Sequence, residues 1–275
     1  MNKTWLITGS SSGIGRALVE QLLERGDRVA ATLRKPDALS DLKERYGEQL
    51  WLAKLDVTDP VAIRRVVQQA FSELGRIDVV VSNAGYALFG AAEEVSDEQI
   101  DLQLLTNLTG SIQVIRAALP HLRDQAGGRI LQVSSEGGQI AYPNFSLYHA
   151  SKWGIEGFVE AVAQEVAPFD IEITLVEPGP THTNFAAALV SPPQMAIYDQ
   201  TPAGDVSRAV TSGDFALTGD PVKMASAMIE AANTHPAVKR LVFGSSAYDR
   251  IHTALTDRLE ALEQQQELAR STEMD

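Results

Sequence analysis

Short apolar runs alternate with helix-length segments along most of this chain, and that alternation restricts the fold more than any other feature. Trp5-Leu6-Ile7-Thr8 is strand-length, and from Ile14 to Arg25 apolar residues recur at helical spacing (Ile14, Leu18, Leu22) until Gly26 ends the run. Val29 to Leu33 is the second strand. The pattern continues with a helix over 37–46, a strand over Leu50–Leu55, a helix over Pro60–Leu74 and a strand over Val79–Ser82. A helix over 97–122, a strand over Arg129–Val133, a helix over 146–166 and a strand over Glu172–Val176 follow. Parallel strands joined by right-handed helical crossovers build a doubly wound parallel sheet with helices on both faces. Arg240-Leu241-Val242-Phe243 reads as a last strand, and Ile251, Leu255, Leu259 and Leu262 mark a closing helix, with a polar tail after about 264 that is expected to fray. No repeat or linker divides the sequence, so 1–275 is expected to form one domain. The exception to the regularity is 180–220, rich in Pro, Ala, Thr and Ser and carrying Phe185, Met195, Tyr198 and Phe215, which reads as a substrate loop.

Charge narrows the function. The balance of 36 acidic against 23 basic residues gives a formal charge of −13, with the basic residues scattered, which argues against nucleic acid and anionic membrane as partners. With no cysteine there can be no disulfide, thiolate metal site or cysteine nucleophile. The five histidines lack metal-ligand spacing, so no protein-bound metal is expected. No apolar run is long enough to span a bilayer, and the N-terminus lacks the pattern of a signal peptide. The expectation is a soluble cytoplasmic protein acting on a small molecule.

Two motifs carry chemistry. Gly9-Ser10-Ser11-Ser12-Gly13-Ile14-Gly15, after Thr8, lies between the first strand and the first helix, where backbone N–H groups and the positive helix end can cradle a pyrophosphate. In Ser146-Leu147-Tyr148-His149-Ala150-Ser151-Lys152, a phenol and an ammonium four residues apart share one helix face, about 6 Å apart along the axis. A cation there favours phenolate and is expected to lower the tyrosine pKa from about 10. His149 points off that face and is assigned no chemistry.

With these motifs the chain resembles the short-chain dehydrogenase/reductase family, in its subgroup of single-domain Rossmann-type enzymes of roughly 250 residues. The resemblance runs from the start to about residue 185 and includes Asp56-Val57, Asn83-Ala84-Gly85, Asn107, Ser135, and Pro178-Gly179 with Thr183. It implies that Asp56 accepts from the adenine amino group, with Val57 beside it, and that the turn Asn83-Ala84-Gly85 supports the adenosine side. Ser82 stands where relatives carry a first Asn. The segment Pro178 to Thr183, including Gly179 and Thr181, would fix the nicotinamide carboxamide, with Pro180 an addition to the pattern. By the same resemblance Ser135, rather than its neighbour Ser134, stabilises charge on the substrate oxygen. Tyr148 is then the general acid, Lys152 lowers its pKa and holds the nicotinamide ribose, and Asn107 holds a water behind the lysine. It also implies a homo-oligomer, dimer or tetramer.

The end of the second strand selects the dinucleotide. A carboxylate there would bond the ribose 2′-hydroxyl of NAD, whereas a cation attracts the 2′-phosphate of NADP. Here Leu33 occupies that place and Arg34 and Lys35 follow, so NADP(H) is expected, with Ser10 and Ser11 as added hydroxyl donors and NAD(H) as the alternative. Tyr86, Leu88, Phe89, Tyr142, Phe145 and the 185–217 stretch are candidate pocket walls suited to an apolar carbonyl or alcohol. The expected function is NADPH-dependent reduction of a ketone or aldehyde, reversibly. NAD-linked oxidation of a hydroxysteroid or other secondary alcohol is the second enzymatic reading, and a non-catalytic NADP-binding regulator is the third.

Overall fold

In β1 (Thr4–Thr8), Trp5 and Ile7 join one apolar cluster while Leu6 joins another, the period-two alternation of a strand covered on both faces. The fold is seen in a computed structural model, which describes residues 2–183, 189–213 and 216–274. Six further strands follow: β2 (Arg28–Leu33), β3 (Leu50–Lys54), β4 (Val79–Ser82), β5 (Gly128–Val133), β6 (Ile171–Pro178) and β7 (Arg240–Phe243). They pair in parallel in the order β3-β2-β1-β4-β5-β6-β7, so the expected doubly wound sheet is present.

On one face lie α1 (Gly13–Glu24), α2 (Ser40–Tyr46) and α8 (Pro221–Ala231); on the other lie α3 (Pro60–Leu74), α5 (Ser111–Asp124) and α6 (Ser146–Val166). Asp59 caps α3 by accepting from the Val61 and Ala62 amides, both at 2.9 Å, which explains the start at Pro60.

The structure departs from the sequence expectation in three places. The helix expected over 97–122 is α4 (Asp97–Leu104), then a π-helical turn over Leu105–Gly110, then α5. The 180–220 stretch contains α7 (Pro202–Ser212), whose Val206 and Val210 pack on the Phe89–Phe145 cluster. Phe185 and Phe215 fall outside the described residues. The tail expected to fray carries a helical turn, α10 (Gln266–Arg270). The expected closing helix is present as α9 (Ser245–Glu263), with Ile251 buried and Leu255, Leu259 and Leu262 exposed. No helix among the described residues is long and apolar enough to cross a membrane.

Candidate active site

The strand order reverses between β1 and β4, and ligands bind at such a switch point, beyond the carboxyl ends of the strands. Thr8 ends β1 there and Asn83 follows β4. The Asn83 amide nitrogen Nδ2 donates to the carbonyls of Thr8 at 3.0 Å and Gly9 at 3.1 Å, and the backbone N–H groups of Asn83 and Ala84 donate to Thr8 Oγ1 at 3.0 and 3.2 Å. The Asn83-Ala84-Gly85 turn is thus tied to the glycine turn, as a support for the adenosine side requires.

The glycine turn has no room for side chains where it crosses this support. Gly9 has φ +70°, and a Cβ there would stand 2.7 Å from Ala84 Cα; a Cβ on Gly15 would stand 2.5 Å from the Gly9 carbonyl oxygen. Gly9→Ala should therefore cost about 1–2 kcal/mol in backbone strain alone, with the clash adding to it, and lower the urea midpoint. An unchanged midpoint would reject this account.

Ser12 begins α1 without a side-chain cap bond, although Asp59 and Asp220 cap α3 and α8, and no acid sits in the first turn of α1. The helix end thus keeps its positive partial charge for an anion. Ser11 and Ser12 are exposed at the turn, Ile14 packs on the core below it, and Thr183 lies over Gly13. Ser10 departs from expectation: it is buried and its hydroxyl donates to the Ile7 carbonyl at 3.0 Å, so it is not an open donor. These features fit a dinucleotide pyrophosphate.

At the far end, Asp56 Oδ1 accepts from Thr58 N at 3.0 Å and Thr58 Oγ1 at 2.8 Å, bonds that hold its pKa down with some help from the charge of Arg34. Asp56 does not cap α3, whose N-cap is Asp59. Val57 is buried behind it against Gly110. Arg34 is exposed at the end of β2, while Leu33 points into the core.

At the carboxyl end of β5, Ser134 and Ser135 separate cleanly. Ser134 Oγ donates to Glu156 at 2.5 Å, whereas Ser135 hydrogen-bonds the Tyr148 hydroxyl, accepts from Gly137 N at 3.1 Å and donates to the Pro178 carbonyl at 3.5 Å. Ser135 also touches the start of the 178–183 segment, in which Thr181 Oγ1 donates to the Gly179 carbonyl at 2.8 Å.

Tyr148 and Lys152 share one face of α6 as expected, with the ammonium 5.6 Å from the ring centroid. The expected fall in the tyrosine pKa does not occur: burial pushes it up to about 12, the Ser135 bond opposes this and the Glu136 charge adds to it. Desolvation of a fully buried phenol outweighs a cation whose nitrogen donates to the Val133 carbonyl at 3.1 Å. Burial also brings Lys152 down to about 8, against the pull of Glu156.

Asn107, in the π turn, is buried and clamps the Tyr86 backbone, donating to its carbonyl at 2.8 Å and accepting from its N–H at 3.1 Å. Its Nδ2 also donates to Ser151 Oγ at 3.4 Å, so the side chain ties the loop after β4 to α6 one residue before Lys152. His149 is buried, with Nδ1 2.9 Å from the Gly137 carbonyl and Nε2 accepting from Tyr142 N at 3.2 Å. It holds the loop before α6. Two groups escaped the sequence pattern: Glu136, paired with Arg250, and the Glu156–Glu177–Arg240 cluster. Neither partner is close in sequence, so no local motif announces them.

Sheet order and the position of the glycine turn define a doubly wound α/β fold with a candidate site at the strand-order reversal. Residues 3–194 match the short chain dehydrogenase family model. An oxidoreductase of Botryotinia fuckeliana is 38% identical over 250 residues, covering 90% of this chain and 91% of that protein. A 3-ketodihydrosphingosine reductase of Bacteroides thetaiotaomicron is 41% identical over 180 residues, 66% of this chain and 64% of its own. A solved short-chain dehydrogenase from Streptomyces avermitilis superposes with a TM-score of 0.92 at 34% identity, over 100% of both chains. The chain belongs to the short-chain dehydrogenase/reductase family.

Proposed function

We propose that the protein reduces a ketone or aldehyde with NADPH, Tyr148 giving its proton to the carbonyl oxygen. The observation that carries this reading is the buried Tyr148 phenol, hydrogen-bonded to Ser135 at the carboxyl edge of the sheet with Lys152 behind it. A phenol held neutral at physiological pH is in the form that an acid needs. The bound nicotinamide would supply the hydride. Ser135 would donate to the carbonyl oxygen as negative charge develops on it, and Lys152 would hold the nicotinamide ribose hydroxyls.

Beside Tyr148 the walls are Ala87, Phe89 and Phe145, with Tyr142, Leu189, Val206 and Val210 packed against them. That surface suits a substrate with an apolar body, and the sphingoid ketone in the name of the Bacteroides relative has that character. The test is the loss of reduced-nicotinamide absorbance over a panel of ketones and aldehydes graded by chain length. Turnover that rises with apolar bulk supports the reading; no turnover with any carbonyl rejects it.

For the dinucleotide, Arg34 would meet a 2′-phosphate, a reading supported by its exposure and by its closeness to Asp56, whose pKa it helps to lower. Arg34→Asp should reverse the ratio of kcat/KM for NADPH over NADH by about tenfold or more, since a charge-assisted bond contributes about 1.5–3 kcal/mol. An unchanged ratio would reject Arg34 as the selecting residue.

A further inference from the structure

Helix α9 is attached to the catalytic loop through arginines. Glu136, next to Ser135, is 2% exposed, and Arg250 Nη2 lies 2.8 Å from its Oε1 and 2.7 Å from its Oε2, with Nε 3.2 Å from Oε2. The same carboxylate lies against the 178–183 segment: a Cβ on Gly179 would stand 3.7 Å from Glu136 Oε2 and 2.9 Å from the Cβ of Ala247, which also belongs to α9. Two turns beyond Arg250, Arg258 donates to the Gln139 carbonyl and stacks 5.0 Å over the Trp153 ring. One helix therefore holds the loop that starts at Ser135 at two points, Glu136 and Gln139, reaches α6 at Trp153, and borders the segment that would hold the carboxamide as well.

Electrostatics give the contact a second consequence. The Tyr148 phenol is faced by Ser135 and Glu136 from the loop, by Tyr142 before α6, and by His149 and Lys152 from its own helix. Glu136 is the one carboxylate in that set, and a buried negative charge opposes proton loss from a neighbouring phenol. Arg250 stands opposite it and offsets that charge.

We propose that Arg250 is a positioning residue of the hydride-transfer site: through Glu136 it fixes the Ser135 loop against the Gly179 segment and offsets part of the carboxylate charge beside Tyr148. The inference rests on Tyr148 being the proton donor. Its test uses the full chain without dinucleotide, labelled with 3-fluorotyrosine, with the Tyr148 fluorine resonance assigned by its loss in Tyr148→Phe. Fluorine acidifies the phenol and brings its titration into reach. Arg250→Met should move that titration upward by about one pH unit, a tenfold change in acidity, and lower kcat about tenfold with little change in dinucleotide KM. Adding Glu136→Gln to Arg250→Met should bring the titration back, and Arg250→Lys should retain it. If Arg250→Met does not fold, Glu136→Gln alone must move the titration downward. An unmoved titration in Arg250→Met, or a double variant no different from the single, overturns the inference. If the resonance moves as expected while no carbonyl is turned over, the charge link stands and the assignment of Tyr148 as acid falls.

Discussion

Tyr148→Phe is expected to cut kcat for carbonyl reduction by about 10²–10⁴-fold, the range for a lost general acid, while reduced dinucleotide binds as before. The substitution removes a hydroxyl and keeps the ring, which packs edge-on to Phe145 at 6.1 Å, so the surrounding wall is preserved. Ser135 loses a partner but keeps Gly137 N and the Pro178 carbonyl. Direction of reaction matters for pH. Reduction uses the neutral phenol, and with the Tyr148 pKa pushed up to about 12 by burial, that form persists across neutral pH. The reducing rate should therefore be flat there, while alcohol oxidation, which needs the phenolate, should rise with pH. Single-turnover absorbance and dinucleotide binding by fluorescence separate chemistry from binding. A Tyr148→Phe protein with near wild-type kcat would remove Tyr148 from the chemistry.

Much of this site is local and therefore legible. Strands buried on both faces read as unbroken apolar runs, so β4 is visible in Val79-Val80-Val81, and the glycine turn sits where strand one meets helix one. Tyr148 and Lys152 are legible because helical spacing alone puts them on one face. Other features are not local. The π turn around Asn107 differs from an α-helix by one register step, and nothing in Leu105 to Gly110 marks that step beforehand. α8 carries the apolar spacing of Met224, Ala225, Met228 and Ile229 after an Asp220-Pro221 start, yet it follows an irregular stretch that hides the resumption of the pattern. The sign of the Tyr148 shift also needed burial: spacing shows the cation, whereas only packing shows how completely the phenol is removed from water. Glu136 and Arg250 meet because α9 packs on the loop after β5, a tertiary event.

Arg240→Met is expected to lower stability by about 3–5 kcal/mol near pH 8, the range for leaving buried charge unpaired. Arg240 Nη1 lies 2.6 Å from Glu156 and also pairs with Glu177, and Nη2 lies 2.5 Å from Glu160. Glu177 and Glu156 are almost without solvent contact, at 0% and 3% exposure. Gln139 also donates to Glu177, and Ser134 to Glu156. Even with the arginine in place, burial and then the Glu156 charge raise the Glu177 pKa to about 7. A carboxyl whose folded pKa lies above its unfolded value of about 4.3 binds more protons when folded. Its contribution is thus full at acid pH and is lost as the pH rises through about 7. Without Arg240 the folded pKa climbs further, so the deficit of the variant should be smaller near pH 5, where a neutral Glu177 needs no cation, and widen towards about pH 8. Urea unfolding at the two pH values measures the difference, and equal losses at both would assign Arg240 a packing role. Glu156 lies one helical turn beyond Lys152 and helps keep that ammonium charged, so the same substitution also reaches the candidate site through α6.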